Sequence, residues 1–354
     1  MSIVPKKEGC AAFLFGDGCY RTREREVVTI KTPVTRVGNK SSILHILYAV
    51  FPLKYGRFID VFGGSGSVLL GNPKPPPFEV YNDFDRNLVN LFRCMKERTM
   101  ATIRELGFCN LNSREDFNAI KKFFEYETFT DEYFGEELFL TEIMFPPPEA
   151  KELKELRTRI TDDYDVRRAA MFMKLLRYSY SSGCKSFAAQ PMDIRKIFGL
   201  VKELENRMSN VIVENQDFEA LIKHYDRPDS FFYADPPYFS TEDMYAVGFN
   251  WQDHVRLHDT LQGIKGKFLL SYNDCPEIRE LYQGFSIFDF SRVHSMAQRY
   301  DAGKEFKELL IGNYDLYERE RHKPLQLTLF EAQEENFDFE KILKECIISC
   351  KIKR

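Results

Sequence analysis

Two apolar patterns alternate along the 354-residue chain. The first is a short unbroken apolar run that stops at a carboxylate, an asparagine or a glycine turn, as at 58–61, 78–81, 211–213, 231–234 and 268–274. A closing run of the same kind lies at 308–314. Such runs read as strands buried on both faces, the habit of a parallel sheet. The second pattern spaces apolar residues three and four apart, as in Ile43, Leu44, Ile46, Leu47 and Val50, or Leu88, Val89, Leu91 and Phe92. These are helices, and the alternation predicts a mostly parallel, doubly wound α/β sheet with helices on both faces. The rhythm breaks from 91 to about 205, so a mainly helical insert is expected after the second strand. The expected division is an extension at 1–27, a main domain at 28–90 and 206–320, an insert at 91–205 and a tail at 321–354. Within the insert the run 125–142 is acidic and aromatic, and Pro146-Pro147-Pro148 marks a stiff turn.

Composition changes this picture little. Hydrophobic content of 44% and charged content of 29% are those of an ordinary globular chain. A net charge of −4 argues against a protein basic all round, but not against a local basic groove. One stretch supplies that groove: residues 166–200 carry Arg167, Arg168, Lys174, Arg177, Lys185, Arg195 and Lys196 against the single acid Asp193. A solvated helix face would look the same. The eight cysteines are dispersed without a Cys-x-x-Cys pair and histidine is scarce, so no metal site is predicted. No membrane span or leader is visible, and a soluble intracellular protein is expected.

Candidate chemistry centres on Phe231-Phe232-Tyr233-Ala234-Asp235-Pro236-Pro237-Tyr238-Phe239-Ser240. A buried strand ends there at a carboxylate, and two prolines stiffen the backbone beyond it. At the carboxyl end of a strand in an open α/β sheet, ligands bind. The turn offers Asp235, the Pro236 carbonyl and the Tyr238 ring to one small planar group; an exocyclic amine on a base suits that set. In 57–70 a strand runs into Phe62-Gly63-Gly64-Ser65-Gly66, where glycines admit a ligand close to the backbone. The spacing is neither that of a dinucleotide fold nor that of a phosphate-binding Walker loop. Asp83, at the tip of the next strand, sits where a carboxylate holds a ribose diol, and Asp85 is the better candidate for the helix cap. Ahead of these, 32–40 is a loop with Gly38 and Lys40 that opens a helix, which Ser41 or Ser42 could cap.

Together these segments resemble the Dam-like, D12 class of adenine-N6 DNA methyltransferases, over about residues 28–315. Asp235-Pro236-Pro237-Tyr238 is similar to that family's catalytic motif, and Asp60, Phe62, Gly63, Gly64, Ser65 and Gly66 to its S-adenosylmethionine motif. Lys40 matches the Gly-x-Lys segment, with Gly38 before it. Arg36 stands where many relatives carry an aromatic residue. The resemblance implies that Asp217 and Phe218 border the cofactor adenine, although Asp217 also reads as a helix cap. It places the DNA target contacts in the insert, among Arg167, Arg168, Lys174, Arg177, Ser181, Ser182 and Lys185. Phe249 and Asp253-His254 match a further family pattern, with His254 in a supporting rather than a basic role. The implied reaction methylates N6 of an adenine flipped from double-stranded DNA. In the tail, Gln326-Leu327-Thr328-Leu329-Phe330 resembles the peptide that docks on the bacterial sliding clamp; a segment packed back on the core is the alternative. Phe339, Ile342, Leu343, Cys346 and Ile347 predict a final amphipathic helix.

Overall fold

The computed structural model describes residues 30–108, 113–126, 132–160, 164–188, 193–239, 248–293 and 305–321. The expected N-terminal extension, the Gln326–Phe330 peptide, the final helix and most of the loop after Phe239 lie outside the described residues.

Seven strands form one sheet: β1 (Arg57–Asp60), β2 (Phe78–Asn82), β3 (Val211–Glu214), β4 (Ser230–Ala234), β5 (Lys267–Asn273), β6 (Ser286–Val293) and β7 (Glu305–Gly312). Their spatial order is β3-β2-β1-β4-β5-β7-β6. The first five are parallel neighbours, while β7 runs antiparallel between β5 and β6. The chain thus winds outwards from β1 to β3, returns, and winds the other way from β4. The reversal puts the carboxyl ends of β1 and β4 side by side, with Asp60 in register with Tyr233. A crevice for a ligand opens at such a switch point.

The unbroken apolar runs are explained by burial on both faces. Successive side chains point to opposite sides of a strand. Phe58, Tyr81, Phe231 and Tyr233 therefore enter one core, and Ile59, Val80, Phe232 and Ala234 the other. Each fully buried Phe contributes roughly 2–3 kcal/mol of transfer free energy. β6 is an element that sequence reasoning does not anticipate. Its alternation of Phe288, Asp289, Phe290 and Ser291 carries a strand's period of two, in a segment with no chemistry to draw attention to it.

Thirteen α-helices occur among the described residues. They are α1 (Leu44–Val50), α2 (Ser67–Leu70), α3 (Arg86–Glu97), α4 (Thr99–Gly107), α5 (Arg114–Tyr126), α6 (Glu132–Met144), α7 (Glu149–Ile160), α8 (Val166–Tyr178), α9 (Phe198–Met208), α10 (Phe218–Tyr225), α11 (Trp251–Gln262), α12 (Pro276–Leu281) and α13 (Glu318–Arg321). Between β2 and β3 the described residues are almost wholly helical, as the lost rhythm predicts. Their apolar side chains do not form a separate core: Phe92, Met95, Ala169, Met173, Leu176 and Leu204 join the cluster that covers one sheet face. Arg207 locks α9 to β2 through two hydrogen bonds to Glu79, at 2.6 and 2.8 Å, and a third to the Leu69 carbonyl.

Candidate active site

Asp235 leaves the end of β4 with its side chain 17% exposed, and Lys40, only 4% exposed, meets its Oδ1 at 2.8 Å. The same ammonium donates to the Tyr238 hydroxyl at 3.1 Å and to the Gly38 carbonyl at 3.4 Å. Ser271 on β5 bonds the Tyr238 hydroxyl from the other side at 3.0 Å, and the Asn273 amide holds the Phe239 carbonyl at 3.2 Å. The Asp-Pro-Pro-Tyr turn is therefore pinned from β5 and from the loop 32–40. Burial pushes the Tyr238 phenol above its ordinary range, against the pull of Lys40, so it stays neutral.

Across the crevice, β1 ends at Asp60. Its carboxylate is buried, and Oδ2 has no hydrogen-bond partner among the described residues. Burial, with Asp235 and Asp83 nearby, holds this carboxyl well above the usual carboxylate range. An acceptor left bare at this cost points to a donor or cation from a ligand. The glycine turn follows. Gly63 donates to the Asn82 carbonyl at 2.7 Å, and a Cβ there would lie 2.3 Å from the Tyr81 ring. Gly64 and Gly66 adopt φ of 51° and 69°, which favours glycine.

At the tip of β2, Asp83 accepts from the Gly64 N–H at 2.9 Å and from the Asp85 N–H at 2.8 Å. Asp85 caps α3 by accepting from the Asn87 N–H at 3.0 Å, so the cap role falls to Asp85. Asn82 knits the strand ends together, donating to the Val61 carbonyl at 2.8 Å and accepting from the Gln216 N–H at 2.8 Å. Beyond β3, Asp217 does cap α10, accepting from the Glu219 N–H at 3.0 Å. It also pairs with Arg256 through both oxygens at 2.9 Å, and the Arg256 guanidinium lies 4.1 Å over the Phe218 ring.

One cavity of about 290 Å³ collects these groups. Arg36, Gly38, Lys40, Asp60, Phe62, Gly63, Gly64, Ser65, Asp83, Asp217, Phe218, Asp235 and Pro237 all line it. Gly66 instead turns inwards against Phe92, and Pro236 and Tyr238 flank the lining residues Asp235 and Pro237 in the chain. Among the lining residues that carry no site signal in the sequence analysis are Asn82, Phe84 and Arg256. Phe84 is the most legible of them, an aromatic directly after the acidic strand tip that keeps 57% of its surface exposed. Arg256 has no local signal, since its place depends on α11 packing against α10, which carries Phe218 and Glu219. His254 is fully buried, with Nδ1 2.5 Å from the Tyr272 hydroxyl and its ring 4.7 Å from that of Phe249, so it braces β5 rather than facing the cavity. Among the described residues no group of three or more potential metal ligands occurs.

The basic run on α8 needs a correction. Arg168 is 6% exposed, donates to Asn87 at 2.7 Å and lies 4.6 Å over the Phe124 ring. Lys174 is 3% exposed and donates to the Glu105 and Phe108 carbonyls. Both expected phosphate contacts are instead internal struts, because α8 is wedged among the other insert helices and its long side chains find carbonyls and rings there. Arg177 is half-buried and donates to the Pro33 carbonyl, steadying the loop that carries Lys40. Arg167 lies 3.8 Å from Glu105 with 42% of its side chain exposed. Ser182 shapes the turn after α8 with φ of 56°, and Lys185 is exposed beyond it.

Known proteins resemble this chain over most of its length. Over 304 residues, 80% of this chain and 95% of the relative, the chain is 26% identical to the Type II methyltransferase M1.LlaDCHI of Lactococcus lactis subsp. cremoris. It is 27% identical over 152 residues to the Type II methyltransferase M.CviBI of Paramecium bursaria Chlorella virus NC1A, covering 40% of this chain and 57% of that protein. Residues 37–296, which hold both sides of the crevice and the insert between them, match the family model for the D12 class N6 adenine-specific DNA methyltransferases, and the chain belongs to that family.

Proposed function

We propose that this DNA methyltransferase acts on N6 of an adenine flipped out of double-stranded DNA, with Asp235 and the Pro236 carbonyl as the groups that touch the reacting amine. The single observation that carries this reading is Asp235, held by Lys40, lining one cavity with Asp60, whose Oδ2 has no hydrogen-bond partner among the described residues.

S-adenosylmethionine, when bound, supplies a methyl group on a positively charged sulfur. The residues present suit it: Asp83 accepts from the ribose hydroxyls, and Asp60 offers an acceptor to the cationic amino-acid end. The Gly63–Gly66 turn lets the backbone come close. Phe218, with Asp217 and Arg256, forms the purine end, and Gly38 and Arg36 close the loop side.

An adenine amine is a weak nucleophile because its lone pair is delocalised into the ring. Asp235 and the Pro236 carbonyl each accept one amine hydrogen, which favours a pyramidal nitrogen with its lone pair exposed. As that nitrogen gains positive charge, the fixed Asp235 carboxylate stabilises it. Lys40 keeps one carboxylate oxygen in place and so orients the other. A base inside the duplex cannot reach this turn, so it is flipped, with the Tyr238 ring as its stacking surface. Target contacts fall to the insert, at 91–205, through Arg167, Ser181, Ser182, Lys185 and Arg177. Gln326–Phe330 gives the tail a clamp-docking peptide; substituting Gln326 and Phe330 by alanine should abolish retention on a purified bacterial clamp.

The decisive experiment is transfer of labelled methyl to unmethylated genomic DNA, followed by digestion to nucleosides. The expected product is N6-methyladenine, absent with Asp235→Ala. N4-methylcytosine would overturn the assigned atom, and label appearing only in RNA would overturn the substrate.

A further inference from the structure

Arg36 occupies a place in the cavity wall that the Gly-x-Lys loop alone does not explain. Its side chain is 16% exposed and its Nη1 lies 3.0 Å from Asp85 Oδ2. Asp85 in turn donates its backbone N–H to Asp83, so Arg36, Asp85 and Asp83 form one chain of contacts at the tip of β2.

Three carboxylates share this corner: Asp60 at the end of β1, with Asp83 and Asp85 after β2. Burial and mutual repulsion favour proton uptake by the most enclosed of them. Burial does push the Asp83 carboxyl up, with Asp85 adding to the push, and the Arg36 cation pulls it back. Lys40 is already held at Asp235. The charged and titratable groups facing Asp83 are Arg36 from the loop, Asp60 from β1, and Tyr81 and Asp85 from its own segment. From the β3 side Asn215 reaches its backbone carbonyl with an uncharged amide. Each Asp83 oxygen accepts one backbone N–H, at 2.9 and 2.8 Å, and keeps a lone pair for a hydroxyl. Protonation would remove one of those acceptors.

We infer that Arg36 is a positioning residue for the ribose: anchored on Asp85 Oδ2, it fixes the segment whose N–H holds one Asp83 oxygen, so the Asp83 carboxylate stays turned to accept both hydroxyls of the diol. This rests on the reading of Asp83 as the ribose ligand.

The test is calorimetric binding of S-adenosylhomocysteine to the full-length protein at pH 8 and pH 6, with wild type, Arg36→Met and Arg36→Lys. An analogue lacking both ribose hydroxyls is titrated in parallel. Arg36→Met, which loses a charge-assisted hydrogen bond, is expected to bind about tenfold more weakly at pH 8. The loss should deepen towards pH 6, because burial already pushes the Asp83 carboxyl up and Arg36→Met removes the cation that pulls it back. Arg36→Lys should recover most of the acid-side loss, and the analogue without hydroxyls should show no penalty from Arg36→Met. A penalty equal for both ligands, or one that does not deepen at pH 6, overturns the inference, as does Arg36→Met binding like wild type. Failure of the wild type to bind S-adenosylhomocysteine would instead sink the cofactor reading itself.

Discussion

Replacing Lys40 by methionine keeps most of the side-chain volume and removes the charge at the catalytic corner. The structure sets the scale. Lys40 and Asp235 are 4% and 17% exposed at 2.8 Å, so the pair belongs with buried ion pairs rather than with surface ones. At an effective dielectric near 20, charges 2.8 Å apart attract by about 6 kcal/mol, a gross figure from which desolvation must be subtracted. Stripping one partner from a buried pair costs about 3–5 kcal/mol, and the partial exposure of Asp235 favours the lower end, about 3 kcal/mol of stability. The catalytic loss comes from a different source. Without the ammonium, Asp235 and the Tyr238 hydroxyl lose a shared anchor, and a misplacement of about 1 Å costs on the order of a hundredfold in kcat. Steady-state methyl transfer to DNA should show that fall in kcat, while the KM for S-adenosylmethionine moves less than about threefold. The reverse result, an unchanged kcat with a KM raised tenfold, would mean that Lys40 serves the cofactor and would refute the reasoning.

Gly63→Ala should destabilise the protein by about 1–3 kcal/mol and abolish cofactor binding, because the new methyl meets the Tyr81 ring at 2.3 Å and the Asn82 carbonyl at 2.9 Å. Gly64→Ala, whose Cβ meets only the Phe62 carbonyl at 3.8 Å, should cost about 1–2 kcal/mol through its positive φ alone; thermal melts with and without S-adenosylhomocysteine separate the two. Arg207→Met should leave Glu79 buried without its cation. Burial already raises the Glu79 carboxyl, and an acid raised in the folded state binds more protons there than when unfolded, so stability falls as pH rises. Denaturant melts of this variant should show its deficit shrinking below about pH 5, and a deficit that grows on acidification would contradict the assignment. On α8 and the turn after it, Lys174→Met should destabilise the insert by about 2–3 kcal/mol without changing the salt dependence of DNA binding. Lys185→Ala should leave the melt intact and reduce the slope of log K against log salt by about one, as measured by fluorescence anisotropy across a salt series.

The sequence by itself determined most of the sheet and pointed to the residues that line the crevice. Strands buried on both faces have to be unbroken apolar runs, so β1, β2, β4 and β5 were legible from Phe58, Val80, Phe232 and Leu269 and their neighbours. Turn chemistry is equally local: the two prolines after Asp235, the glycines after Phe62 and the acid after Asn82 act through backbone geometry within a few residues. Pairings across the chain were decided only by the tertiary structure. Lys40 is nearly two hundred residues from Asp235, and its ammonium reaches that carboxylate because the loop 32–40 crosses the switch point between β1 and β4. The same holds for Arg256 over Phe218 and for Arg36 on Asp85. Charge sign in a sequence does not say which way a long side chain points. Arg168 and Lys174 read as a DNA-facing stripe until packing of α8 turned them inwards, where carbonyls and rings replace the water they would otherwise hold. A periodic pattern reports the face an element buries; which distant element covers that face depends on topology, and topology is set by the whole chain.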